Sequence, residues 1–302
     1  MKNYKSTTLV LAFVLLFTVA VATAANAPKL KFKFTKNNVR RARQTMPYGI
    51  NNAGVTVGQY QDTSGVWHGY ILKGKKLTTL DDPNGSNTYA SGLPYNGAIT
   101  VAGYYKNSAG AAVGFRYKGG KFTDIPRPNG AIAWGALGIN DKEEIVGAYE
   151  DSSLVWHGFL LKGTKYTTLD PPGAVGTNAT GINNKGDIVL AWWDSSGVNY
   201  SSLYTRKKYI PIDVPFPGAV GTWVSAINNE DDIVSYWWMS TGWNHGALCT
   251  KCDSKERRKY YKFDYPKALQ TYGGGINDRH TISGGYQPHN TTFYSGYKAT
   301  YK

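Results

Sequence analysis

The sequence is short of cysteine, methionine and acidic residues, with 2 Cys, 3 Met and 20 Asp+Glu among 302 residues. Two cysteines cannot make the scaffold of a disulfide-knotted protein, and a chain this long buries enough surface to do without one. Only 18% of residues are charged while 41% are apolar, which excludes a disordered chain. Helical periodicity is missing as well. Apart from one stretch near the start, no apolar run is a candidate for a membrane-spanning helix. In abundance, by contrast, are 35 Gly, 23 Tyr, 9 Trp and 13 Pro, the turn formers and large aromatics of an all-β protein. Lys and Arg number 34, giving a formal charge of +14.

The one apolar run, Leu9 to Ala22, follows Lys2 and Lys5 and leads into Ala22-Thr23-Ala24, the small-residue site of a signal peptidase. Residues 1–24 therefore read as a signal peptide, with Ala25 as the first mature residue and residues 25–302 as the mature domain. The run is short for a spanning helix, so the expected protein is secreted, extracellular or periplasmic, without a transmembrane anchor.

The mature chain writes one pattern six times. It is most legible at GINNAGVTVGQYQDTSGVWHGYILKGKKLTTLDDPNG from Gly49 and at GINDKEEIVGAYEDSSLVWHGFLLKGTKYTTLDPPG from Gly138. Further copies begin at Gly92, Gly181, Ala226 and Gly275, at steps of 43, 46, 43, 45 and 49 residues. A repeat of about 45 residues without helical periodicity predicts a toroid of four-stranded blades. Each copy divides into four strands, a to d. Strand a ends at an Asn-Asn or Asn-Asp pair suited to left-handed turn geometry, and a polar Asp/Ser/Gly turn separates b from c. A Lys-Gly turn separates c from d, and Asp-Pro-Gly material follows d.

The ends of the chain give the topology. The last copy stops after strand c, while Lys29 to Thr35 has the alternation and Phe-Thr ending of a strand d. Pairing this N-terminal strand, about 29–35, with the last strand c predicts a closed, six-bladed β-propeller of antiparallel blades with no open edge. The link from Asn37 to Gln44, carrying Arg40, Arg41 and Arg43, is expected on the surface as an irregular or short helical segment.

The repeated Gly-Ile-Asn-Asn, Ile-Val-Gly, His-Gly-Phe-Leu and Thr-Thr-Leu-Asp elements resemble the bacterial extracellular HAF-repeat proteins, most closely from Gly138 to Ala174. The resemblance spans nearly all of the mature chain, with Val113 and Tyr200 replacing His in the second and fourth copies. It implies a secreted, propeller-like protein and implies no activity.

In a propeller, strand a lines the channel, and the b–c and d–a turns share one face, the expected binding face. Aromatics three or four residues before the repeat start, Tyr89, Trp134, Trp223 and Tyr272, together with Met46 and Asn178 in the other copies, are expected at the channel mouth. There they could stack on sugar rings. In strand b, a recurrent row of Tyr60, Tyr104, Tyr149, Trp192, Trp237 and Tyr286 reads as packing. Trp193 and Trp238, one residue later, face the other way and are further ligand-binding candidates.

His68, His157 and His245 recur in alternate copies just after the b–c turn and are expected to be structural, since alternate blades are too far apart for a shared metal. No zinc spacing, phosphate loop, calcium loop or nucleophile motif implies a metal, a cofactor or a catalytic set. Asp62, Asp151 and Asp194 in b–c turns leave open an alternative reading as an extracellular polysaccharide hydrolase or lyase. Asp81, Asp170 and Asp213 read as turn formers. Cys249 and Cys252 are expected to form a local disulfide in the blade-five c–d turn. Basic stretches at Lys29–Arg43 and Lys251–Lys262 suit an anionic cell-surface polymer. The expected partner is that polymer or a glycan, bound by a noncatalytic monomer, and nucleic acid is not expected.

Overall fold

The computed structural model describes residues 30–302, so the signal-peptide reading of residues 1–24 lies outside the described residues. The described chain forms 24 β-strands in six four-stranded antiparallel sheets arranged as a six-bladed propeller. Blade one is β2(Gln44–Ile50), β3(Thr56–Gln61), β4(Trp67–Lys73) and β5(Lys76–Leu80). Blade two runs from β6(Ser86–Gly92) through β7(Thr100–Lys106) and β8(Ala112–Lys118) to β9(Lys121–Asp124). The innermost strands of blades three, four and five are β10(Ala131–Ile139), β14(Gly176–Ile182) and β18(Gly221–Ile227). Blade six is β22(Ala268–Ile276), β23(Thr281–Pro288) and β24(Ser295–Tyr301), completed on its outer edge by β1(Phe32–Lys36).

The expected closure is present: β1 pairs antiparallel with β24, Phe32 opposite Tyr301 and Lys36 opposite Tyr297. Its inner face contributes Phe32 and Phe34, whose rings lie 4.9 Å from Phe263 and 5.4 Å from Tyr265 of blade five. The ring is thereby closed by strand pairing and by aromatic packing between neighbouring blades.

Between blades the core is made by the repeat's apolar positions. Val57, Val101, Val146, Val189, Val234 and Ile282 in the second strands are all completely buried. Where the innermost strands converge there is no room for side chains. A Cβ on Gly92 would sit 2.9 Å from the Gly138 Cα, and one on Gly275 2.8 Å from the Gly49 Cα, which explains the glycine that opens the repeat.

The Asn-Asn pair does more than turn the chain. Asn140, Asn183, Asn228 and Asn277 each accept two backbone N–H bonds within their own a–b loop. Each then donates its amide to the carbonyl of the equivalent asparagine in the next blade. The second residue of the pair continues the belt, as where Asn184 and Asn229 accept from the backbone N–H of Asp141 and Asn184. The left-handed residue is neither of these two; it lies three residues after the first Asn, at Gly54, Glu143, Gly186, Asp231 and His280.

Two local expectations are refined. The segment before β2 is irregular, with Arg40, Arg41 and Arg43 exposed as expected, but its Asn37 and Val39 are buried, the Asn37 amide donating to the Thr56 hydroxyl at 2.9 Å. In blade two, register places Tyr89 opposite Tyr104, whereas blade one pairs Met46 with Gln59. The a–b loop of blade two is two residues longer, with Gly92 ten residues before its partner Ala102 where Gly49 is eight before Val57, so the packing row falls one residue beyond Tyr104. Tyr105, at 4% exposure, therefore fills the packing row assigned to Tyr104, and Tyr104 turns to the channel.

Candidate functional site

A cavity of about 490 Å³ occupies the channel and is lined by residues of the innermost strands of all six blades. At its floor, on the a–b side, blade two replaces the Asn pair with Pro94-Tyr95. Tyr95 reaches across the ring, its hydroxyl donating to the carbonyls of Ile182 and Ile227 in blades four and five. The cavity is therefore closed below by a phenol ring and open towards the face of the b–c and d–a turns.

Its mouth is aromatic. Tyr89 stacks on its cross-strand partner Tyr104, ring centroids 4.4 Å apart and 11° from parallel. Trp223 stands opposite its cross-strand partner Tyr236, and Tyr272 meets Tyr236 and Tyr294 edge-on at 6.4 and 5.6 Å. Between these rings lie polar groups: Asn178, Asn244, Ser91, Thr180 and Ser225. The buried Tyr272 hydroxyl has no protein hydrogen-bond partner. Lower in the channel, the Gln59 amide donates to the Tyr48 hydroxyl at 2.9 Å.

Electrostatically the cavity is neutral. No Asp, Glu, His, Lys or Arg lines it. Burial, reinforced by neighbouring phenols, pushes the Tyr48 and Tyr272 hydroxyls well above the ordinary tyrosine range. Burial likewise raises Tyr89, Tyr104 and Tyr236, so these phenols stay protonated and available as donors.

Three of the six aromatic candidates, Tyr89, Trp223 and Tyr272, line this cavity. Trp193 lines a second, adjoining depression. Trp134 does not belong to the mouth. It lies four residues before its repeat glycine, in the row otherwise occupied by Thr45, Thr88, Thr177, Thr222 and Thr271, and packs among Tyr105, Val113, Phe115 and Ile125 between blades. The mouth position in blade three is Gly135. Trp238 lines neither depression; its indole covers Gly221, where a Cβ would stand 2.2 Å from the ring. Tyr104, Tyr236 and Tyr294 also line the cavity without a signal in the repeat: the register shift hides the first, and the position that Tyr236 shares with Tyr104 is held by Gln, Ala or Gly in the four remaining blades.

Each of the three histidines sits against a carboxylate that follows strand d of its own blade. His68 Nδ1 is 2.8 Å from Asp81 and its Nε2 3.5 Å from Asp62. His157 is bracketed in the same way by Asp170 at 2.7 Å and Asp151 at 3.4 Å. Burial alone would lower the His157 pKa, but hydrogen bonds and charge from Asp170 and Asp151 outweigh it and the net shift is upward. His245 meets Asp264 at 3.1 Å, and its blade has Met239 where the other turn has Asp, leaving its buried Nε2 without a partner. Asp62, Asp151 and Asp194 accept backbone N–H bonds of their own b–c turns. Asp170 and Asp213, expected to shape local turns, instead reach back to the N–H groups of Gly158 and Ser201 in strand c. None of these carboxylates lines the channel cavity.

Cys249 and Cys252 are joined as a disulfide and lie in the core of blade five. Among the described residues, one group combines carboxylates and imidazole within 4.8 Å: Glu230, Asp232 and His280, on the a–b side. Both Asp232 oxygens are already occupied, by the Lys251 N–H and the Tyr301 hydroxyl. No helix of the described residues is long and apolar enough to cross a membrane.

No protein-family model and no curated protein matches the chain. Solved structures do. The SapL1 lectin, solved in complex with alpha methyl fucoside, is 9% identical with a TM-score of 0.57, covering 87% of this chain and 95% of the lectin. The AofleA protein of Arthrobotrys oligospora is 12% identical with a TM-score of 0.54, covering 86% of this chain and 84% of its own. The Aleuria aurantia lectin, described as a six-bladed β-propeller with a novel fucose recognition mode, is 12% identical with a TM-score of 0.52, covering 87% and 93%. At these identities the likeness establishes the six-bladed fold.

Proposed function

We propose that this chain is a noncatalytic carbohydrate-binding propeller that takes an uncharged sugar into the channel mouth. The observation that carries the reading is the neutral, aromatic-walled cavity. Its tyrosine and tryptophan rings offer flat apolar faces, while the Asn178 and Asn244 amides and the serine and threonine hydroxyls offer hydrogen bonds to hydroxyl groups. Its volume falls within the range of roughly 300 to 1,000 Å³ usual for small-molecule sites. The similarity in fold to lectins solved with fucosides supports the same class of ligand. The hydrolase or lyase alternative finds no pair of carboxylates on the walls of this cavity.

Glycan-array and titration measurements on the mature protein test this directly. Trp223→Ala should weaken binding about tenfold, the loss of one stacking platform and its buried area. Trp238→Ala, which removes an indole outside the cavity, should leave binding unchanged. Equal binding by wild type and Trp223→Ala, or no glycan bound at all, would overturn the reading.

We further propose export after cleavage before Ala25, supported by the Lys2/Lys5 start, the apolar run and the small-residue site. N-terminal sequencing of the protein recovered outside the cytoplasm should begin at Ala25. Recovery only in the cytoplasm with Met1 retained would refute it.

A further inference from the structure

The wall of the channel mouth is not uniform. At the position three residues before the repeat start and at its cross-strand partner, three blades raise two large side chains, Met46 with Gln59, Tyr89 with Tyr104 and Trp223 with Tyr236, and blade six raises one, Tyr272 opposite Gly285. Blade three places Gly135 opposite Ala148, and blade four Asn178 opposite Ala191. The wall is lowest at blade three. There the cavity continues outward into a trough of about 520 Å³, with Tyr104, Leu137, Asn178 and Trp223 lining both.

The trough has its own aromatic platforms. Trp193 and Trp156, both partly exposed, stand along it, and Lys106 is the one charged side chain that lines it. The Trp193 indole is held over its cross-strand partner Gly176, where a Cβ would meet the ring at 2.0 Å, so its orientation is fixed by the absence of a side chain opposite. A flat, prepositioned indole in a trough that Lys106 also lines suits a sugar ring: one face stacks and Nζ can donate to the hydroxyls.

We propose that the channel and trough are two subsites of one oligosaccharide site. The terminal sugar enters the channel end-on, because Tyr95 closes the floor and no internal segment of a polymer can thread through. The next units leave over Gly135 and lie along Trp193 and Trp156, with Lys106 contacting their hydroxyls. The blind channel makes the protein a reader of chain ends, and the trough makes it a reader of chain length. This inference rests on the carbohydrate reading above and fixes the shape of its ligand.

The probes are homologous neutral series, namely cello-, manno-, malto- and chito-oligosaccharides of one to six units, together with fucose and fucosylated di- to tetrasaccharides. These are titrated against wild type, Trp193→Ala, Trp156→Ala and Lys106→Met, each variant checked for an unchanged circular dichroism spectrum. In the series that binds, affinity should rise about tenfold or more between one and four units, one further stacking contact with its buried area. Trp193→Ala and Trp156→Ala should each remove most of that gain while holding the single-unit affinity within about twofold, and Lys106→Met should reduce the gain partially. Should Trp193→Ala fail to fold, Trp156→Ala and Lys106→Met carry the same readout. If no saccharide of any length binds wild type, the carbohydrate reading itself fails. If a sugar binds but length brings no gain, or the gain survives Trp193→Ala, Trp156→Ala and Lys106→Met alike, the trough is not a subsite and the channel stands alone.

Discussion

The side-chain amide of Asn277 donates a hydrogen bond of 2.8 Å to the main-chain carbonyl of Asn51, joining the last blade to the first across 226 residues of chain. The same bond links blades three to four, four to five and five to six. It is absent after blade one, where the next blade has Pro94-Tyr95 in place of the asparagine pair and a longer a–b loop, and the Asn51 amide nitrogen is left buried without a partner. Asn→Asp substitution reads this difference. At Asn228 it would turn a donor into a carboxylate facing the Asn277 carbonyl, and should cost about 3 kcal/mol or more. At Asn51 no donor bond is lost, so Asn51→Asp should cost less by about 1 kcal/mol or more, the value of one buried hydrogen bond. Urea unfolding of the two variants checks the order, and equal losses would show that the belt does not bear on stability.

Much of the architecture was legible because the repeat states it directly. The spacing from Gly49 to Gly275 counts the blades, and the lone alternating segment before blade one supplies the strand missing from blade six. The mouth was only half legible, for a reason of register. Side chains alternate along a strand, so Trp134, one residue out of place, belongs to the packing between blades, while an insertion in the a–b loop exchanges the roles of Tyr104 and Tyr105. The floor was not legible at all: Tyr95 breaks the Asn pair, but its partners Ile182 and Ile227 lie 87 and 132 residues away.

A simpler expectation concerns the b–c turns. The left-handed position is Gly65, Gly110, Gly197 and Gly242 in four blades but Leu154, with φ of 64° and 68% exposure, in blade three. A side chain there costs roughly 1 kcal/mol of backbone strain and returns little packing. Leu154→Gly should therefore stabilise the protein by about 0.5–1 kcal/mol, raising the melting temperature by about 2 °C in a domain of this size. Calorimetry showing a lower melting temperature would mean that Leu154 makes contacts worth more than its strain.

Asp213 should give stability a pH dependence of unusual sign. Burial pushes its carboxyl up to about 6, against the opposing hydrogen bond from the Ser201 N–H at 2.7 Å. Because the folded pKa lies above the unfolded value of about 4, the fold disfavours ionisation, and this residue's contribution falls as pH rises from about 4 to 6. Asp213→Asn keeps an acceptor for Ser201 and carries no charge. It should be more stable than wild type by about 2 kcal/mol at pH 7.5 and no more stable at pH 3.5. Chemical denaturation at the two pH values decides it, and an advantage independent of pH would point to packing.

Tyr95 separates the energetics of the floor from those of the mouth. Its hydroxyl shares its one proton between two main-chain carbonyls at the ends of β14 and β18, and its ring seals the channel between them. Tyr95→Phe keeps the seal and removes the donor, which should cost about 1–2 kcal/mol through two under-satisfied carbonyls. Tyr95→Ala removes both and should cost about 3–5 kcal/mol, as expected for deleting a buried aromatic ring. The two variants should part company in binding. With the floor intact, Tyr95→Phe should bind sugar as wild type does. Tyr95→Ala opens the channel to water from the a–b side, so a ligand in the mouth loses its dry base and its affinity should fall severalfold. Denaturation and titration of both variants test this, and equal binding by Tyr95→Ala and wild type would place the ligand entirely above the channel, against the rim aromatics alone.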